Sequence, residues 1–162
     1  MTLFSRKADY ALLILSYLHS KGVAGNAREI AERFGLSRSF VANILKELAH
    51  KGLVSSTRGV KGGYALQRST GLVTLAELLE AIGEGFHLTV CNEHMANMNV
   101  ASCDLAHVCP VKSPLTEIHK RLMVVLNGVT LADVFAPAGN TEPALATLGL
   151  LNRSPEPTTT TA

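Results

Sequence analysis

Residues 26–66 carry the pattern that most limits the fold: two short capped helices, a tight turn between them, then a basic, glycine-rich hairpin. Asn26 followed by Glu29 is a capping-box pattern. It opens a helix through Phe34 whose inward residues are Ala27, Ile30, Ala31 and Phe34. Gly35 ends that helix, and Ser37 caps the next, "RSFVANILKELAHKG". There Phe40, Val41, Ile44, Leu45 and Leu48 share one face, while Arg38, Ser39, Ala42, Asn43 and Lys46 share the other. Two short helices joined by a tight glycine turn predict a helix-turn-helix. The following "LVSSTRGVKGGYALQRS" reads as strand, turn, strand, pairing Leu53-Val54 with Tyr64-Ala65-Leu66 across "TRGVKGG". A basic hairpin directly after a helix-turn-helix is a wing.

That order of elements points to DNA. A recognition helix fits the major groove, and its exposed early residues reach base edges. Here those residues are Ser37, Arg38, Ser39 and Asn43. Arg bonds guanine bidentately and Asn bonds adenine in the same way. Arg58 and Lys61 on the wing suit phosphates or a minor groove, and Gly59, Gly62 and Gly63 let a backbone approach closely. An ordinary hairpin turn accounts for Gly63 equally well. The whole chain has a formal charge of only +2. From Ser37 to Arg68, however, Arg38, Lys46, Lys51, Arg58, Lys61 and Arg68 stand against Glu47 alone, which is 6 − 1 = +5. Such a local surface suits phosphate, although a solvated charged face would look the same by charge alone.

The rest of the 162 residues read as one domain with a tail. Ser5 caps a first helix to about His19, apolar most of the way round and therefore buried on several sides. Its apolar run, Ala11 to Leu15, is too short to span a bilayer and lacks a cleavage site, so a cytoplasmic protein with no membrane partner is expected. Thr74 and Glu77 form a second capping box, opening "LAELLEAIGE". Ser113 is expected to cap a long helix to about Asn127, with Pro114 at its first position. Leu115, Ile118, Leu122, Val125 and Leu126 make one stripe of it, wider than a single small core needs, which predicts a dimer helix and hence a homodimer. Thr130 to Phe135 reads as one last turn. Beyond Ala136 the chain is rich in Pro, Thr, Ala and Gly and reads as a disordered tail. The expected division is 1–70 for the winged DNA-binding region, 71–136 for the linker helix, cysteine loop and dimer helix, and 137–162 for the tail.

All three cysteines, Cys91, Cys103 and Cys109, fall between those last two long helices. An odd count in a cytoplasmic chain argues against a disulfide framework. Three thiolates on one loop can hold an iron–sulfur cluster or zinc, or they can be unrelated buried thiols. A metal site of this kind needs a fourth ligand, for which Asp9, Glu93, His94, Asp104 and His107 are the candidates.

"FSRKADYALLIL", "IAERFGLSRSFVANILKEL", "GLVSSTRGVKGGYAL" and "CDLAHVC" followed by "NGVTLADVF" resemble the IscR/NsrR family of winged-helix transcription regulators over residues 1–136. The resemblance implies a mainly α fold: a winged helix-turn-helix with a long dimerisation helix and a cysteine-bearing loop. It also implies a homodimer on a palindromic operator in double-stranded DNA, most often as a repressor. Each subunit would carry a 2Fe–2S or 4Fe–4S cluster on Cys91, Cys103 and Cys109, responding to nitric oxide, redox state or iron–sulfur supply. The gap between Cys91 and Cys103 is wider than the family's usual spacing. The histidine that IscR-like members place three residues after the last cysteine is replaced by Lys112, which cannot serve. NsrR-like members use an acidic residue in the first helix, reaching from the other subunit. Asp9 matches that position, with His107 as the alternative. Some members lack the cysteines, so a cluster-free regulator controlled by thiol oxidation or a protein partner is the competing expectation. No phosphate loop, G-x-S-x-G or H-E-x-x-H motif points to an enzyme.

Overall fold

The computed structural model describes residues 5–59, 62–83, 85–92 and 103–136. The expected tail from residue 137, the wing's Lys61, and Glu93 and His94 lie outside them. The elements are α1 (Arg6–Lys21), α2 (Ala27–Phe34), α3 (Arg38–His50), β1 (Val54–Thr57), β2 (Gly63–Leu66), a 3-10 turn (Thr70–Leu72), α4 (Leu75–Ala81), α5 (Lys112–Gly128) and α6 (Leu131–Phe135). This is a mainly α winged helix-turn-helix.

Local chemistry sets most of these boundaries. Ser5 accepts hydrogen bonds from the Lys7 and Ala8 amides and opens α1, which ends at Gly22 in the left-handed conformation. Asn26 accepts from the Glu29 amide and Ser37 from the Phe40 amide. The expected capping box at Asn26 is only partly built, because the Glu29 carboxylate turns chiefly to Lys21 and Tyr17 on α1. These two bonds, with a smaller one from the Asn26 amide, hold the Glu29 carboxyl below its ordinary pKa against the opposing effect of burial. At Thr74 the side chain accepts from the Glu77 amide as expected, but Glu77 pairs with Arg68.

One expectation for the later helices needs correction. Ser113 does not cap the long helix: α5 begins at Lys112 after Val111, so Ser113 and Pro114 lie inside its first turn. Pro114 is tolerated there because the first amides of a helix have no intrahelical partner anyway. The last turn at Thr130 is a short helix with a complete capping box, Thr130 and Asp133 each accepting the other's backbone amide.

The core runs from α1 through α6 as one cluster. Ala8, Ala11, Ile14, Leu15 and Leu18 of α1 meet Ile30 and Ala31 of α2 and Val41, Ile44, Leu45 and Leu48 of α3. Leu78, Leu79 and Ile82 continue it past the boundary expected at residue 70, and Leu126 and Leu131 close it. Edge-to-face aromatic pairs, Tyr10 with Phe40 at 5.3 Å and Tyr17 with Phe34 at 6.1 Å, fix α1 against the two helices of the motif.

The hairpin pairs antiparallel, Val54 with Leu66 through Thr57 with Gly63. The strand thus starts one residue later than expected and extends further towards the wing tip. Two contacts of high sequence separation tie the pieces together. Gly25 exchanges backbone hydrogen bonds with Tyr64 at 2.9 and 2.8 Å, clamping β2 to the α1–α2 connection. Thr74 and Thr130, each capping its own helix, sit in a second isolated bridge, with Leu75 N–H donating to Val129 and Leu131 N–H to Val73.

Candidate functional site

The candidate nucleic-acid interface is the outer face of α3 with the wing beside it. Burial of Val41, Ile44, Leu45 and Leu48 leaves Arg38, Ser39, Asn43, Lys46 and His50 exposed on the opposite side. The helix is held in place at both ends. Ser37 caps its start, with its hydroxyl 3.4 Å from that of Ser39. Near its other end Glu47 pairs with Lys7 of α1 at 2.7 Å. Arg38 and Asn43 have no hydrogen-bond or ion-pair partner among the described residues, so their donors point into solvent uncommitted.

On the wing, Arg58 is exposed and has no partner among the described residues, while Lys61 falls outside them. Gly59 has φ +116°, a conformation that favours glycine. Gly62 and Gly63 are needed for close approach, but the surface approached is the protein's own. A Cβ on Gly62 would lie 2.3 Å from the Thr57 carbonyl oxygen, and one on Gly63 would lie 2.8 Å from that of Gly25. The sequence offered a turn or a ligand contact for Gly63. The structure adds a third use, the seam between wing and α1–α2 connection.

Pairing also redistributes the basic footprint. Arg68 bonds Glu77 and the Leu72 carbonyl, so its charge is spent inside the fold. Glu47, the single acid of the stretch, is offset by Lys7. Lys46 and Lys51 remain without a partner among the described residues. Neither stands among the contact residues expected from the sequence. The signal for Lys46 was available, because it lies three residues past Asn43 on the same helical face.

The cysteines lie in two kinds of local structure. Cys91 lies in a helical turn at residues 90–92, not in open loop. Cys103 and Cys109 flank two successive turns, in which Ala106 N–H donates to Cys103 and Val108 N–H to Leu105, and which lead into α5. All three thiols are free and half-buried. Asp104 and His107 are exposed on those turns, and Asp9 is exposed in the first turn of α1. Among the described residues, no three His, Cys, Asp or Glu side chains stand together closely enough to hold a metal ion. The expected ligand set is therefore not assembled within the described part of one chain. In kind, the donors fit an iron–sulfur centre: soft thiols neither locked in disulfides nor fully buried.

A helix-turn-helix with a wing, its outward donors free and its cysteines displayed ahead of a long helix, defines a winged-helix regulator. The family model for Rrf2, described as iron-dependent transcriptional regulator, matches residues 4–137, and the chain belongs to that family. The transcriptional regulator NsrR of Bacillus licheniformis is 27% identical over 128 residues, 78% of this chain and 87% of that protein. Two solved structures share the fold. CymR, the global cysteine regulator of B. subtilis, matches with TM-score 0.63 and 25% identity, covering 83% of this chain and 97% of its own. IscR of T. potens matches with TM-score 0.58 and 26% identity, covering 81% and 84%. These relatives are named as regulators and not as enzymes. Among the described residues no helix is long and apolar enough to cross a membrane.

Proposed function

We propose that this chain is a DNA-binding repressor that acts as a homodimer on a palindromic operator, its affinity set by an iron–sulfur cluster. The observation that carries the DNA reading is the uncommitted pair Arg38 and Asn43 on the exposed face of a rigidly capped α3. Arg38 and Asn43 read base edges, Ser37 and Ser39 support them at the helix start, and Arg58 and Lys61 hold phosphates from the wing. Arg38→Ala should cost on the order of 1–3 kcal/mol on the preferred site and less on random DNA. Equal losses on both, measured by fluorescence anisotropy, would assign Arg38 to the backbone instead.

Cys91, Cys103 and Cys109 would hold the cluster, with Asp9 of a second subunit as fourth ligand and His107 as the alternative. When bound, the cluster supplies iron–ligand bonds sensitive to oxidation and nitric oxide. A carboxylate is a harder ligand than a thiolate and binds iron less firmly in such a set. Asp9 sits on the helix that Lys7 joins to α3, so its engagement or release bears directly on the recognition helix. Iron and sulfide counts on protein purified without oxygen test this. Each Cys→Ala variant should lose iron, and Asp9→Ala should change the absorption spectrum and uncouple DNA affinity from cluster state. A variant with full iron and an unchanged spectrum removes that residue from the set.

The second reading is a cluster-free regulator working through thiol oxidation. It is supported by the three free, half-buried thiols and by the absence of a three-donor group among the described residues. Colourless, iron-free protein from anaerobic cells, with DNA binding that changes on peroxide treatment, would establish it over the first.

A further inference from the structure

The second half of α3, from Asn43, borders an open groove of about 860 Å³ that the start of α1 and the end of α4 also line. Lys7, Lys46 and Lys51 line it together with Asn43, His50 and Ile82, and Glu47 is the one acid among the described lining residues. Lys7 is occupied: it pairs with Glu47 and donates a 2.7 Å hydrogen bond to the Ile82 carbonyl at the close of α4. Glu47 is thereby neutralised, and Lys46 and Lys51 stand over the groove with no partner among the described residues. Lysines near a helix C-terminus also complement its dipole. That accounts for their sign, but not for a concave wall that gathers both.

We propose that this groove is a phosphate-binding site in which Lys46 and Lys51 supply the charge. Lys46 shares a helical face with Asn43, so the groove opens towards the surface assigned to DNA. Its anion is a phosphate group, carried either by the duplex backbone or by a free polyphosphate. Lysine suits both because it binds phosphate as a mobile point charge and does not demand a fixed planar partner. For its DNA arm the proposal rests on the DNA-binding reading above.

The test uses the full chain with Lys46→Gln, Lys51→Gln and the double variant. Arg68→Gln, the same charge change at a residue already paired, serves as control. Affinity for a labelled random-sequence duplex is measured across salt concentrations, and inorganic pyrophosphate is titrated separately by calorimetry. If the backbone is the source, each Lys variant lowers the slope of log affinity against log salt by about one, and Arg68→Gln leaves it unchanged. If a free anion is the source, wild type binds pyrophosphate and the double variant does not, while the DNA slope stays constant. Unchanged slopes together with no pyrophosphate binding by wild type would overturn the proposal, as would an equal fall in slope with Arg68→Gln and no pyrophosphate binding. Should wild type bind no duplex at all, the DNA reading fails by itself and the pyrophosphate titration alone decides the groove.

Discussion

The winged part and the cysteine-bearing part of this chain are built to different degrees of completion. From α1 to α4 nearly every large apolar side chain that faces inward is buried, and the fully buried Ile14, Ile44, Leu45, Leu48 and Leu78 all belong there. On α5, a helix about 25 Å long, only Leu126 is buried. Ile118 is 47% exposed and Val124 62% exposed, and on the turn before α5 Leu105 and Val108 are each 64% exposed. The first region closes its core within one chain. The second displays apolar surface and half-buried thiols together. The difference separates two kinds of sequence information. Residues of the winged part answer to a core present in the chain, whereas most apolar side chains and the thiols of the cysteine part stay exposed or half-buried among the described residues.

The sharpest test of this contrast compares the same truncation in the two regions. Leu45→Ala removes a fully buried side chain and should cost about 2–5 kcal/mol in urea unfolding. Ile118→Ala, at an exposed position, should cost the isolated subunit no more than about 0.5 kcal/mol. Ile118→Asp should nonetheless shift the protein towards monomer in sedimentation velocity, because a charge would be forced into the subunit contact. A dimer unaffected by Ile118→Asp would move the interface off this face of α5.

A smaller effect is expected at the seam of the wing. Gly63→Ala places a Cβ 2.8 Å from the Gly25 carbonyl oxygen, a backbone atom that cannot swing away. The strain should cost about 1–3 kcal/mol. It should also loosen the Gly25–Tyr64 bridge, which amide hydrogen exchange would show as faster exchange at those two residues. Unchanged protection would mean that the wing is held by the β1–β2 ladder alone.

The same contrast explains what the sequence could tell. Ser5, Asn26, Ser37 and Thr74 were readable as caps because each acts within three residues of itself, and the α3 faces followed from a period of 3.6. The family resemblance rested on the helix motifs, the hairpin, the cysteine window and the "NGVTLADVF" ending together, and the family match agrees with it. What sequence spacing did not show depends on distant partners. Arg68 counted as a free cation until the fold brought it to Glu77, and Gly63 looked like turn until the Gly25 carbonyl appeared beside it. Ser113 looked like a cap because a Ser-Pro pair usually begins a helix, yet the turn after Cys109 had already started one. The cysteines were visible by type, but their ligand geometry was not. Spacing along the chain does not say which side chains converge in space.

The smallest expected effect lies where the two regions touch. His119 of α5 stacks on Phe86 with centroids 6.1 Å apart and faces His87 at 6.0 Å. Neither His119 Nδ1 nor His87 Nδ1 has a hydrogen-bond partner among the described residues, and both atoms are buried. Burial first, and the neighbouring His87 second, lower the His119 pKa from its ordinary 6.5. The unfolded chain therefore takes up this proton at a higher pH than the folded chain does. The stability linked to His119 is complete above pH 6.5 and is lost as pH falls from there through the lower folded value. His119→Phe keeps the stack on Phe86 and removes the titration. Thermal unfolding between pH 7.5 and 5 should then decline less steeply with acid than in wild type, with the curves meeting at the neutral end apart from a constant packing offset. Parallel curves across the whole range would show that His119 is already solvated, and that the contact between α5 and the segment before the cysteines is looser than its geometry implies.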